Sequence, residues 1–137
     1  MRYLDTTIII RYLTQDDPDQ AARARGVLER ARAGEVTLLV SEAVIVETVN
    51  VLSSRVTYNL PRPDIERHVT NILQLRGLRV PHRSTYLRAL RLWVEAPAVR
   101  DFVDALHVAH MERLRLREIV SFDADFDRFA QVVRRVP

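Results

Sequence analysis

Short apolar runs alternate with helical segments along the whole 137-residue chain, and this alternation restricts the fold more than any other feature. The runs that read as strands are residues 2–4, 36–40, 78–80, 118–121 and 132–136. Strands that alternate with helices favour a parallel sheet covered by helices on both faces. We therefore predict an α/β fold, a three-layer α/β/α sandwich with a central, mainly parallel sheet of four or five short strands.

The same pattern runs on without a break. No internal repeat, linker-like segment or low-complexity segment interrupts it, and 137 residues suit one domain. We therefore expect residues 1–137 to form a single domain.

Acidic residues follow two of the predicted strands: Asp5 ends the first apolar run, and Asp123 comes just after Ile119-Val120-Ser121-Phe122. The carboxyl ends of parallel strands and the amino ends of the following helices lie at one edge of a sheet. Asp104, in the first turn of a predicted helix, and Glu47, in another helix, can converge with them there. Asp5 also has a purely structural interpretation, as the N-cap of the next helix, with Thr6 or Thr7 sharing that role.

Glu47 lies in the middle of the predicted helix 42–52, which Ser41 is well suited to cap. This helix is apolar nearly all round, so we expect it to be deeply packed. A buried carboxylate needs an arginine, a hydrogen-bond network, a metal or water beside it. Glu42, in the first turn, is explained by the helix dipole alone.

Asp101 and Asp104 lie three residues apart before an apolar helical run. Asp101 suits the N-cap position, and Asp104 is then the third helical residue, where an acid can complete a reciprocal cap. A position at a helix start favours the ionised form of Asp104.

Carboxylates that converge must be neutralised, and oxygen ligands favour Mg²⁺ or Mn²⁺, which also bind substrate phosphates. The chemistry indicated is hydrolysis of a phosphate ester. The chain has no cysteine and only three glycines, which excludes thiolate sites and a glycine-rich phosphate loop. Residues 123–127 resemble the start of a calcium loop, but Arg128 and Arg134 occupy the positions that need a glycine and an acid.

The formal net charge is +3, and every basic residue other than histidine is an arginine. This charge is compatible with a nucleic-acid partner without identifying one. Four arginines of the predicted helix 21–33 read as a solvated face, with phosphate binding as the alternative: Arg23, Arg25, Arg30 and Arg32. The N-terminus lacks a signal-peptide layout and no apolar run approaches the length of about 18 residues that a membrane span needs, so we expect a cytoplasmic protein with no membrane partner.

Four segments together resemble PIN-domain nucleases of the VapC toxin type. They are Leu4-Asp5-Thr6-Thr7, Ser41 with Glu47, residues 104–109 (DALHVA) and residues 120–126 (VSFDADF). The resemblance implies a Mg²⁺- or Mn²⁺-dependent ribonuclease with Asp5, Glu47, Asp104 and Asp123 as catalytic and metal-binding residues. It also implies that the hydroxyls of Thr6 and Ser121 support these acids. We expect Asp101 to cap its helix and to lie beside the metal without binding it directly.

One position departs from the family pattern, since Thr7 stands where an asparagine is common. This departure puts any amide-mediated role in doubt and leaves the metal ligands intact. The resemblance further implies an RNA substrate, a small VapB-type antitoxin as partner and a homodimer. Arg11 and Arg100 are our candidates for contacts with RNA.

Two other functions stay open on the sequence. One is a phosphatase or phosphoacceptor domain with Asp5 as the nucleophile, although such sites normally need a lysine and this chain has none. The other is a non-catalytic RNA-binding domain of the same fold, against which the intact set of four acids argues.

Overall fold

A computed structural model describes residues 1–137, which divide into two compact units, Met1–Pro81 and His82–Pro137. The first unit contains β1 (Arg2–Tyr3), α1 (Thr6–Thr14), α2 (Pro18–Arg32), β2 (Leu38–Leu39), α3 (Glu42–Ser53), α4 (Arg62–Leu73) and β3 (Leu78–Arg79). The second unit contains α5 (Arg83–Glu95), α6 (Phe102–Arg113), β4 (Glu118–Val120), a 3₁₀ helix (Ala124–Arg128) and β5 (Val133–Arg135).

All strand pairs are parallel. In the first unit the order is β1-β2-β3, with Arg2 opposite Leu38 and Leu38 opposite Leu78. Two helices separate each strand from the next along the chain, as parallel neighbours require a long crossover. In the second unit β4 pairs with β5, with Glu118 opposite Val133.

The predicted α/β class with parallel strands is confirmed, and every predicted strand is present. The strands form two sheets, of three and two strands, instead of the single central sheet that the sequence suggested. Each strand has only two or three residues. A run this short carries the apolar signal of a strand but too little pattern to define its hydrogen-bonding neighbour.

Side-chain caps set the starts of α1, α2 and α3, whereas α4 follows Pro61 without one. Asp17 caps α2 by accepting a hydrogen bond from the backbone N–H of Gln20 at 3.1 Å. Ser41 caps α3 as predicted, accepting from the N–H of Val44 at 3.5 Å. Local polar chemistry was therefore a sound guide to where these helices begin.

The apolar pattern after Asp104 predicts a helix that continues to about Arg117, but α6 ends at Arg113. Arg115 has a left-handed backbone with a φ of 58°, and the N–H of Leu116 bonds to the carbonyl of Met111 at 2.8 Å. This is the hydrogen-bond pattern that usually ends on a glycine. An arginine at the left-handed position gave the sequence no stop signal.

Gly77 joins α4 to β3 at a point of close backbone approach. Its φ is 89°, and a Cβ placed there would lie 2.1 Å from the carbonyl oxygen of Ala31. Only glycine fits, and the contact brings the end of α2 against the start of β3.

In the second unit, Trp93 of α5 meets Phe102 of α6 edge to face, with ring centroids 5.7 Å apart. Both rings are buried, so they anchor the start of α6 and with it the first-turn residue Asp104. No helix in either unit combines the length and apolar character needed to cross a membrane.

Candidate functional site

Asp5 lies two residues after the end of β1 and is the N-cap of α1, so the residue proposed for the site also has the structural role expected of it. Its Oδ2 accepts hydrogen bonds from the hydroxyl of Thr7 at 2.6 Å and from the backbone N–H of Thr7 at 3.2 Å. The Thr7 hydroxyl, and then the Thr7 backbone, lower the pKa of Asp5. Asp5 is therefore held as an exposed, oriented carboxylate.

Thr7 thus has a defined contact at the position where the family commonly has asparagine. Its hydroxyl contacts the carboxylate of Asp5 within the same turn of chain.

Glu47 extends from α3 and accepts a hydrogen bond from the hydroxyl of Thr6 at 3.0 Å. The expectation that Glu47 is buried was wrong, because its side chain is exposed. The buried face of α3 is formed by Val44, Ile45, Thr48, Val49 and Leu52. Ala43, Glu47 and Asn50 form an exposed stripe at helical spacing. Glu47 needs no buried partner, and Thr6, itself buried, fixes the direction of its carboxylate.

In the second unit, three carboxylates come together. One oxygen each from Asp104, Asp123 and Asp125 lies within 4.8 Å of the others. Asp104 is half-buried on the first turn of α6, Asp123 is exposed, and Asp125 is half-buried in the 3₁₀ helix. All the donors are oxygen atoms, a set that suits Mg²⁺ or Mn²⁺.

The turn after β4 is shaped by its own hydrogen bonds. The backbone N–H of Asp123 donates to Ser121 Oγ at 3.0 Å, and the N–H of Asp125 donates to Asp123 Oδ1 at 2.9 Å. Ser121, predicted as a supporting hydroxyl, therefore holds the backbone of the turn that presents Asp123.

The pKa of Asp104 is raised, first by burial and then by the negative charges of Asp123 and Asp101. The expectation that a position at the helix start favours the ionised form of Asp104 was wrong, because the pKa is raised and not lowered. Loss of water and neighbouring carboxylates outweigh the dipole of α6. Arg128 pairs with Asp125 at 3.3 Å and His107 lowers the pKa of Asp104, but neither outweighs burial and the neighbouring carboxylates.

Asp101 occupies the N-cap position of α6, as predicted, but its side chain makes no capping hydrogen bond. The carboxylate is exposed and contributes to the raised pKa of Asp104. Asp101 therefore stands at the N-cap position, but no capping hydrogen bond explains why an acid occupies it.

Asp125 is the member of this cluster that sequence reasoning missed. The run Asp123-Ala124-Asp125 was rejected as a calcium loop and used in the family resemblance, but Asp125 was given no role of its own. A pair of acids two apart, right after a strand, would have been the signal. Asp123 is the N-cap of the 3₁₀ helix and accepts the hydrogen bond from the N–H of Asp125, which keeps the two acids beside each other.

The two candidate RNA-binding arginines differ in their surroundings. Arg11 donates to both oxygens of Asp16, at 2.9 and 3.1 Å, and to Gln20 at 2.7 Å. Contact with a phosphate would require Arg11 to leave this ion pair. Arg100 is exposed immediately before α6.

The predicted acids fall two in each unit. Asp5 and Glu47, each oriented by a threonine hydroxyl, belong to the first, and Asp104 and Asp123 belong to the second.

A family model described as PIN domain matches residues 2–132 of this chain. The chain is also similar to a protein of Aquifex aeolicus (strain VF5) that carries the name VapC ribonuclease. The two are 27% identical over 128 residues, which cover 93% of this chain and 91% of that protein.

Proposed function

The chain belongs to the PIN-domain family, and on this premise we propose that it is a Mg²⁺- or Mn²⁺-dependent ribonuclease, the toxin of a toxin–antitoxin pair. The observation that carries the proposal is the cluster of Asp104, Asp123 and Asp125. Three carboxylates lie within 4.8 Å of one another, and the pKa of Asp104 is raised. A divalent cation bound there would reduce the repulsion between their negative charges.

Asp104 and Asp123, with Asp125 beside them, would hold the cation, and Asp5 and Glu47 complete the proposed set of acids. A bound cation supplies Lewis-acid polarisation of the phosphodiester and makes water more acidic. Asp5 contributes a carboxylate that Thr7 keeps ionised and directed.

Glu47, held by Thr6, is the proposed acceptor that orients the attacking water and takes its proton. Its exposed carboxylate is accessible to water, and the Thr6 hydroxyl occupies only one of its oxygens. Ser121 and Asp101 support the site by holding the turn at Asp123 and by adding negative charge beside Asp104.

We further propose that both units form one nuclease domain, because the family model spans residues 2–132 and therefore includes parts of both. The name of the Aquifex relative supports RNA as the substrate and a small VapB-type antitoxin as the partner. A cytoplasmic homodimer completes this proposal.

The test is cleavage of labelled RNA by the purified chain with Mn²⁺, with and without EDTA. Asp5→Asn and Asp104→Asn should each lower the cleavage rate about 100-fold or more, because each removes a charge that the cation needs. Asp101→Asn should retain most of the activity. Asp64→Asn is the matched control, an acid that is paired with Arg67 at 3.1 Å and has no part in the site.

The outcomes separate the alternatives. Cleavage that EDTA abolishes and that both site variants lack supports the proposal. No cleavage of any RNA, together with no Mn²⁺ binding in calorimetry, contradicts it and leaves a non-catalytic RNA-binding domain. A phosphorylated Asp5 after incubation with a phosphodonor favours the phosphoacceptor alternative.

A further inference from the structure

A groove in the first unit begins at Asp5 and follows one face of α2. It consists of two adjoining cavities of about 200 and 360 Å³, which share Ile8 and Val27 as a common floor. Asp5 lines the smaller cavity, and Thr7, which bonds to Asp5, lines the larger one. The groove is therefore continuous with a carboxylate that we assign to the reaction.

The walls of this groove carry positive charge. Arg2 and Arg30 line the smaller cavity, while Arg11 and Arg23 line the larger one. Arg23 and Arg30 lie seven residues apart on α2, hence on one side of the helix and about 10 Å apart along its axis.

An exposed aromatic ring lies at the end of the groove nearest Asp5. Tyr3 lines the smaller cavity with 60% of its surface exposed, and its hydroxyl contacts Ser41 Oγ. The hydroxyl contact restrains the ring while a large part of its surface faces solvent. Arginines that follow a groove, with an aromatic ring for stacking, are the features that bind single-stranded nucleic acid.

The ion pairs of the two α2 arginines are exposed and weak. Arg23 lies 3.8 Å from Asp19, and Arg30 lies 3.1 Å from Glu35, with more than half of each side chain in solvent. Such surface pairs contribute little, and a phosphate offers a guanidinium a stronger, bidentate partner. Both arginines can therefore turn to a bound strand.

We propose that this groove binds a single-stranded RNA segment next to the cleaved bond, with Arg23 and Arg30 on its phosphates and Tyr3 stacked on a base. The proposal rests on the ribonuclease function proposed above, and it assigns substrate positioning to residues outside the acidic set. Charge decides for RNA as the occupant, since Arg2, Arg23 and Arg30 line the two cavities with Asp5 as the one acid, while Arg11 stays paired with Asp16.

α2 supplies its own matched control. Arg25 and Arg32 have the same seven-residue spacing but line a different cavity, beside Tyr12 and His68. All four arginines are exposed. The variants Arg23→Ala/Arg30→Ala and Arg25→Ala/Arg32→Ala thus lose the same charge from the same helix, and only the first pair comes from the groove.

The experiment measures fluorescence anisotropy of a labelled 12-nucleotide single-stranded RNA in EDTA, across a range of salt concentrations, with Mn²⁺-supported cleavage followed in parallel. The groove variant should bind about tenfold more weakly at low salt. The slope of log affinity against log salt should become shallower by about 1.4, since each phosphate contact on a single strand contributes ~0.7. The control variant should bind as the wild type does, apart from the general effect of lost charge.

Tyr3 is tested in the same assay. Tyr3→Ala should weaken binding about tenfold because the stacked base loses its platform. Tyr3→Phe should bind normally, because it keeps the ring and loses only the hydroxyl that contacts Ser41. Circular dichroism checks that every variant is folded.

Equal losses of affinity in the two arginine variants would overturn the proposal, as net charge alone would then explain both. Unchanged RNA binding in the groove variant would also overturn it and leave the groove to a protein partner. If the wild-type chain still cleaves RNA, either of these two results contradicts only the groove proposal and not the ribonuclease function. A wild-type chain that neither binds nor cleaves RNA contradicts that function itself.

Discussion

At the scale of single residues, Asp5 and Asp104 carry the same charge in opposite surroundings. Hydrogen bonds from Thr7 lower the pKa of Asp5, so its ionised form is stabilised by the fold. Burial and the charges of Asp123 and Asp101 raise the pKa of Asp104, so its ionised form is unfavourable. Without a cation, the structure around Asp104 therefore opposes its own charge, which is a frequent property of functional sites.

This contrast predicts opposite effects of the same substitution. In metal-free protein at pH 7, Asp104→Asn should raise the melting temperature, by about 2 °C, because it removes a poorly solvated charge. Asp5→Asn should lower the melting temperature, because an amide accepts the two hydrogen bonds from Thr7 less well. Scanning calorimetry in EDTA measures both. A lower melting temperature for Asp104→Asn would show that the carboxylate is satisfied by contacts within the fold.

The pH dependence of the Asp104 effect follows from the sign of its pKa shift. A carboxyl with a raised pKa is protonated in both folded and unfolded chains well below its ordinary value of 3.8, and there it costs the fold nothing. As pH rises above 3.8, the unfolded chain ionises more readily and the fold loses stability. The advantage of Asp104→Asn should therefore be present at pH 7 and vanish on acidification.

At the scale of elements, Asp16 fastens the loop after α3 to the end of α1. Its carboxylate accepts hydrogen bonds from Tyr58 at 2.6 Å and from Thr14 at 2.9 Å, and it pairs with Arg11. These contacts, with the Tyr58 hydroxyl first, lower the pKa of Asp16 to about 2. The network explains Arg11 as a structural residue without recourse to RNA.

Tyr58→Phe should loosen this connection, because it removes the strongest contact to Asp16. Amide hydrogen exchange in residues 54–60 should become faster, while Tyr12→Phe on α1 is the control and should leave it unchanged. A lowered pKa gives stability that is present above 3.8 and is lost as pH falls towards 2. The difference in exchange between wild type and Tyr58→Phe should therefore shrink in that interval; a constant difference would contradict this account.

The elements themselves were largely predictable from local chemistry. Ser41 at the start of α3 and the apolar runs of β1 and β4 give signals that depend only on nearby residues. The threonine contacts beside Asp5 and Glu47 were predictable in kind, because short hydroxyl side chains next to acids find carboxylates. Their partners and distances depend on how α1 packs against α3.

The errors have equally physical causes. Glu47 was expected to be buried because α3 is apolar nearly all round, but the burial of a helix is decided by what packs on each face. Asp125 was missed because the sequence does not show the hydrogen bond from its N–H to Asp123 or the approach of this turn to Asp104. The raised pKa of Asp104 depends on neighbours from another segment, which no local pattern contains.

At the scale of the whole molecule, the alternation of strands and helices predicted the α/β class. It did not predict that the strands pair into two sheets. Each sheet supplies acids of its own: Asp5 follows β1 in the first unit, and Asp123 follows β4 in the second. Whether one cation depends on acids from both units is thus a question about the whole chain. Metal-linked stability answers it.

A cation that binds only the folded chain raises its stability by mass action. We expect Mn²⁺ at 100 times its dissociation constant to stabilise the chain by about 2.7 kcal/mol, through one cooperative transition that includes both units. If the cation requires all four proposed acids, Asp104→Asn and Asp5→Asn should each abolish the Mn²⁺-dependent rise in melting temperature, and Asp64→Asn should not. A rise that survives Asp5→Asn but not Asp104→Asn would confine the cation to Asp104, Asp123 and Asp125. Two separate transitions, of which Mn²⁺ moves only one, would contradict a single nuclease domain.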